Sequence, residues 1–263
     1  MRPRAPLAPP LTRLRIRTHA AVLLRSFALQ GSWNYRTLIG TGFAFALLPA
    51  LRTLFRADPA RLHDAARRHT ALFNSHPYLA PIALAVVARL EAEGESPAVI
   101  DRFKTAVRGS LGSLGDRLVW AGWRPVCLLA ALAALFAGAP WYAALLGFLL
   151  LYNAGHLATR IWGYRIGLHE GKHVGERLRH SRLAHAQHAL NTAGAFLVGL
   201  LLPFAAAGAA FAPLPVPPPS APAVALATLA AALGTRFGTA VRLPAALALA
   251  ALAAIGIALR FAA

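Results

Sequence analysis

The sequence predicts an all-α integral membrane protein, assembled from amphipathic and re-entrant helices plus a few spanning helices. Three observations predict it. Hydrophobic residues make up 57% of the 263-residue chain and charged residues 14%, and the mean hydropathy is +0.53, outside the range of a soluble domain. The stretch from Leu118 to Tyr152 holds a single charge, Arg124. The 27 basic residues, of which only Lys104 and Lys172 are lysines, outnumber 9 acidic ones and are scattered between apolar segments. That distribution suits cytoplasmic faces against anionic lipid and argues against a nucleic-acid surface, which would gather the charge on one face.

The expected organisation is a basic cytoplasmic tail (1–24), a membrane core with cytoplasmic amphipathic helices (25–200), a proline-rich linker (201–222) and C-terminal membrane helices (223–263). Residues 1–10 are proline-rich and lack an uninterrupted apolar run, so they read as a tail and not as a secretory signal peptide. Leu11 to Leu29 mixes Arg13, Arg15, Arg17 and Arg25 with Leu14, Ile16, Val22, Leu23 and Leu24, the pattern of a helix lying at the membrane surface. Its positive charge places the N-terminus in the cytoplasm.

RSFALQGSWNY (25–35) follows, with Gly31 permitting a tight turn and Trp33, Asn34 and Tyr35 grouping an aromatic plane, an amide and a phenol. Such a set can bind a sugar or mark a membrane interface. Leu38 to Phe55 is apolar and contains Gly40, Gly42 and Pro49. Asp58 and Pro59 read as N-cap and first residue of a helix whose stripe is Leu62, Ala65, Ala66, His69, Leu72 and Phe73, ending at FNSHP (73–77). There Asn74 and His76 either face a ligand or satisfy a buried turn. Pro81 to Leu90 is a short apolar segment, and Glu91, Glu93 and Glu95 read as a crowded, solvated acidic loop.

Gly109, Gly112 and Gly115 recur every third residue ahead of Asp116, reading as a glycine-punctuated polar turn that lets backbone approach a ligand. An acid at the edge of a membrane segment needs a task or a partner, and Arg117 or Arg124 can supply the latter. Pro125 and the Gly138–Ala139–Pro140 corner are expected to divide the 118–152 run into two pieces of about a dozen residues, a re-entrant hairpin or two short crossings. Cys127, the single cysteine, gives no disulfide or metal signal. From 153 to 188, Arg160, Arg165, Lys172, Arg177, Arg179 and Arg182 assign this stretch to the cytoplasm. His169/His173 and His185/His188 have metal-compatible spacing but no completing ligand on the same face, so no metal or cofactor is expected. Asn191 to Phe211 reads as a spanning helix bent at Pro203, PLPVPPPSAP (213–222) as a stiff linker, and Ala223–Leu233 with Leu243–Leu259 as shorter membrane segments. No carboxylate pair, nucleophile with base, or metal set marks the chain as an enzyme by itself.

Five stretches together resemble the IID subunit of the mannose/fructose/sorbose family of the bacterial phosphoenolpyruvate-dependent sugar phosphotransferase system: RSFALQGSWNY (25–35), the run at 42–55, RRHTALFNSHPY (67–78), GSLGSLGDRLVWAGWRPV (109–126) and LATRIWGYRIG (157–167). The agreement covers about residues 20 to 200. The resemblance implies a bacterial inner-membrane subunit without a phosphorylated residue of its own, paired with a IIC membrane subunit to translocate a hexose. Cytoplasmic IIA and IIB carry the phosphoryl group, and IIB phosphorylates the sugar on entry. Gln30, Trp33, Asn34, Asn74, His76, Gly115 and Asp116 fall on the family's most characteristic positions and are the expected substrate-binding residues. Two departures stand out. The Glu and polar run that usually follow QGSWNY are replaced by Arg36, Thr37, Leu38 and Ile39, and GPLAGIGD is altered at Ser110, Gly112 and Ser113. A transport-inactive relative that docks phosphotransfer proteins at the membrane is the alternative they raise.

Overall fold

A computed structural model describes residues 14–181 and 183–206. The segments expected at 1–13, in the 213–222 linker and at 223–263 lie outside the described residues. Among the described residues the regular structure is helical: α1 (Ile16–Arg25), α2 (Gly40–Leu54), α3 (Pro59–His69), α4 (Ala80–Glu93), α5 (Pro97–Gly115), α6 (Arg124–Phe136), α7 (Trp141–Glu170), α8 (Val174–Arg179) and α9 (Leu183–Ala206). The chain forms two compact units. The first contains 14–116 and 156–181, the second 117–155 and the described residues from 183 onward.

The first unit is built around α4. Its sequence APIALAVVARLEAE is apolar on every face, and nearly every residue from Ala80 to Ala92 is buried, as expected of a helix surrounded by others. α2 and α5 pack on it, α3 and α1 pack on α2, and the turn Gly171–His173 closes its far end. Pro81 stands in the first turn of α4, where a missing N–H costs nothing, and Gly94 ends the helix in the left-handed conformation at φ 75°. Gly163 and Gly167 bring α7 flush against Ile82, since a Cβ at either position would meet that residue. Arg89 joins the ends of α4 and α7, donating to the carbonyls of Leu168 (2.9 Å) and His169 (2.7 Å) while its Nε bonds Glu93 (2.7 Å).

Asp58 caps α3 as its sequence position implies, accepting from the Arg61 N–H at 2.9 Å, and Pro59 opens the helix. Ala65 and His69 face the core. Three expectations are corrected here. Glu91 is not solvated: α4 continues to Glu93 and carries Glu91, 7% exposed, into the core beside the last turn of α3. Gly109, Gly112 and Gly115 do not form a turn but lie inside α5, where burial of Ile100, Phe103, Val107 and Leu111 on one side outweighs the poor helix propensity of glycine. Pro125 does not break the chain. A π-helical segment, Asp116–Trp123, follows α5 directly and leaves Pro125 in the first turn of α6, where proline is tolerated.

In the second unit α6 packs along α9, Gly194 facing Val126. Trp123 lies across Gly155 and its indole N–H donates to the Tyr152 carbonyl at 3.3 Å. The corner at Gly138–Pro140 is a true break, with Gly138 at φ 91°. Two continuous helical stretches, Pro97–Phe136 and Trp141–Arg179, are long and apolar enough to cross a membrane, and Leu145, Leu146, Leu149, Leu150 and Leu151 on the second are exposed, as a lipid-facing surface requires. The fold is that of an all-α integral membrane protein.

Candidate functional site

The polar cleft of the first unit is made where α5 meets the loop after α3. One face of α5 presents Arg108, Gly109, Gly112, Ser113 and Asp116, the i, i+4, i+8 spacing of a helix stripe. Opposite stand Leu38, Leu72 and Asn74, enclosing a cleft of about 370 Å³. Gly109 has open space where a Cβ would project, and the nearest atom to one at Gly112 is Ser75 Cα at 3.9 Å, so the two glycines keep the floor clear.

The loop opposite is held by backbone pairing. Leu38 donates to the Asn34 carbonyl at 2.8 Å and receives the Asn34 N–H at 3.3 Å, while Phe73 donates to Thr37 (3.2 Å) and Ile39 to Phe73 (3.1 Å). These bonds hold Leu38 at φ 54°, a left-handed conformation that costs a branched residue of order 1 kcal/mol or more. The Asn34 side chain is committed to the same turn: its Oδ1 accepts from the N–H groups of Arg36 (3.0 Å) and Thr37 (2.9 Å), and its Nδ2 donates to Thr37 Oγ1 (2.8 Å) and the Ser32 carbonyl (3.1 Å).

Of the seven residues expected from sequence, Asn74 and Asp116 line the cleft. His76 and Gly115 lie together behind it. His76 is 2% exposed and its ring occupies the place where a Cβ of residue 115 would be. Its Nδ1 accepts the Tyr78 N–H at 3.2 Å. Burial, reinforced by the cationic Arg160 and by His156, pulls the His76 pKa down to about 4 and keeps the imidazole neutral. Gln30 and Trp33 are exposed and are not among the cleft-lining residues; Trp33 meets Tyr35 edge to face at 4.8 Å.

Two sets of residues escaped the sequence reading. Arg108 and Ser113 share the cleft with Asp116, and their register was hidden once the glycines were read as a turn. Arg160, counted as a cytoplasmic surface charge, is 3% exposed. A third polar group lies deeper, where Glu91 receives Arg68 Nη2 and His69 Nε2 (the latter at 2.9 Å) and the Lys104 amine sits 5.3 Å from the Phe43 ring. Burial works to raise the Glu91 pKa, but the bonds from His69 and Arg68 outweigh it and hold it below the usual carboxylate value. Burial likewise drives His69 down. The pair therefore stands as neutral imidazole and carboxylate. Among the described residues no group of three or more His, Cys, Asp or Glu side chains is arranged to hold a metal.

Fold and site define a helical membrane protein with a small cleft lined in part by one of its membrane-crossing stretches, the general form of a transporter subunit. The family model of the PTS system mannose/fructose/sorbose family IID component matches residues 13–207, and the chain belongs to that family. It is 34% identical over 189 residues to the mannose-specific EIID component of Escherichia coli K12, and 30% identical over 187 residues to the fructose permease IID component of Bacillus subtilis 168. Each match covers 69% of this chain; they cover 65% and 67% of the respective relatives, so the chain spans about two thirds of their length. Among solved structures, the complex of the mannose transporter ManYZ with microcin E492 aligns with a TM-score of 0.57 at 28% identity, covering 73% of this chain and 71% of that one. Another membrane protein structure aligns at 0.65 and 29%, covering 72% and 70%.

Proposed function

We propose that this chain is the IID subunit of a phosphotransferase-system sugar permease in a bacterial inner membrane, pairing with a IIC subunit to translocate a mannose-type hexose that IIB, charged through IIA, phosphorylates on entry. The reading is carried by the cleft: an amide (Asn74), a hydroxyl (Ser113), a carboxylate (Asp116) and a guanidinium (Arg108) converge over a glycine floor. A hexose offers adjacent hydroxyls that both donate and accept. A carboxylate accepts from two of them, and an amide both donates and accepts, while the small floor admits the ring. The names of the relatives support the sugar class, and the ManYZ alignment supports a two-subunit translocation unit. The chain's part is to bind and orient; the phosphoryl chemistry belongs to IIB. The basic residues of α1 favour a cytoplasmic N-terminus.

The reading is tested by uptake of radiolabelled mannose and fructose in cells expressing the chain with its genomic IIC, IIA and IIB neighbours. Phosphorylated sugar accumulates, and Asp116→Asn and Asn74→Ala, both in the cleft, reduce it with no loss of membrane protein. No accumulation of either sugar, despite a stable complex with IIC, would overturn transport of those sugars and favour the docking role that the replacement at Arg36–Ile39 raises.

A further inference from the structure

α7 carries one arginine into the core of the first unit. Arg160 is 3% exposed, and among the described residues no carboxylate lies within 4 Å of it. A cation buried in a helix that is apolar enough to cross a membrane is costly, and such residues persist where they are hydrogen-bonded and have a task. Arg160 meets the cost with neutral groups. Nη1 donates to both the carbonyl and the hydroxyl of Ser26 at 2.9 Å, and Nε donates to His156 Nε2 at 2.6 Å. Its plane covers the Phe27 ring at 4.5 Å and the Tyr78 ring at 5.4 Å. Tyr78 in turn stacks flat on His156, 3.8 Å between centroids at 12°, and meets His76 edge to face at 5.1 Å.

The partners come from separate stretches of the chain. Ser26 and Phe27 begin the turn that bears Asn34, whose backbone pairs with the cleft residue Leu38. His76 and Tyr78 follow Asn74, and the His76 ring is seated on Gly115, next to Asp116. We infer that Arg160 is the positioning residue that holds these three site segments in one register, with His156 and Tyr78 as its supports. The inference rests on the sugar-handling reading of those segments given above. Arginine suits the task because its planar fork donates in two directions at once and presents two faces to rings; a lysine ammonium has one point of charge and a flexible stem.

The test uses the full chain co-expressed with its partners, carrying a nitroxide at Ser32→Cys in a Cys127→Ser background, with Arg160→Lys and Arg160→Gln compared. Ser32 is exposed on the turn in question. Arg160→Gln is expected to raise label mobility and the apparent KM for uptake by roughly ten- to a hundredfold, with a smaller change in maximal rate. Arg160→Lys keeps the charge and is expected to give an intermediate result, and it serves as the decisive variant if the glutamine protein fails to insert. A label spectrum unchanged in an inserted variant overturns the inference. Absence of uptake in the unsubstituted chain refutes the sugar reading instead, and the label spectra still decide whether Arg160 sets the turn.

Discussion

Glu91 illustrates how one residue's environment reverses its reading. Glu91, Glu93 and Glu95 alternate in sequence, and alternation suggests an exposed strip. On a helix the same spacing turns Glu93 about 200° away from Glu91, and Glu95 differs again because α4 ends at Glu93 and Gly94 redirects the chain. Glu91 enters the core between Arg68 and His69, Glu93 pairs with Arg89 one turn back at 2.7 Å, and Glu95, beyond the helix end, lies 3.8 Å from Lys172. Substitution of Glu91 by Gln leaves Arg68 without its ion-pair partner and Lys104 with Asp101 as its remaining carboxylate neighbour, and Lys104 Nζ already has no hydrogen-bond partner among the described residues. The expected loss is about 3–5 kcal/mol, read as a lower thermal midpoint of the detergent-solubilised protein, whereas Glu93→Gln costs less than about 1 kcal/mol because its pair is partly solvated. Which of three adjacent acids would be buried was not legible in the sequence, because the answer depends on where α3 ends relative to α4.

At the level of elements, what could be read was what local chemistry dictates. Asp58–Pro59 opens α3, Gly138–Pro140 separates α6 from α7, and 118–152 is helical on both sides of that corner, though as parts of two long stretches and not as two short pieces. What could not be read was set by packing. Gly109, Gly112 and Gly115 look like a turn by propensity, yet α5 carries all three, and their surroundings differ: Gly109 faces open space, while Gly115 is filled by the His76 ring. That difference is measurable within one helix. Gly115→Ala forces a methyl group into the His76 ring and is expected to destabilise the protein by about 1–3 kcal/mol and to disturb Asp116 beside it. Gly109→Ala meets open space and gains about 0.5–1 kcal/mol of helix stability. Thermal unfolding of the two variants in parallel checks the contrast, and equal effects would contradict the packing described. The cleft was half visible for the same reason: Asn74 and Asp116 stood out as motif residues, while Arg108 and Ser113 needed the helix to bring them alongside.

For the molecule as a whole, three histidines of the first unit share a direction. Burial lowers His19 and His69 from the ordinary imidazole value, and His76 is brought down to about 4 by burial, Arg160 and His156. The folded state keeps these rings neutral while the unfolded chain takes up protons near pH 6.5, so the unfolded state binds more protons below that value. Their contribution is complete above about pH 6.5 and declines as pH falls below it, for His76 down to about 4, at no more than about 1.4 kcal/mol per pH unit for each histidine. Thermal midpoints at pH 7.5, 6 and 5 should therefore fall in order, and His76→Gln should flatten the dependence. The division of the chain into units carries a consequence for biosynthesis. The first unit is discontinuous, because the face of α7 that seats Ile82 against Gly163 and Gly167, and the Leu168 and His169 carbonyls that receive Arg89, lie beyond the intervening 117–155. The ribosome releases α4 long before it releases the surface that covers one side of it. This buried helix must wait, shielded by bilayer or chaperone, until residues 117–155 have been made and the chain has come back to close over it.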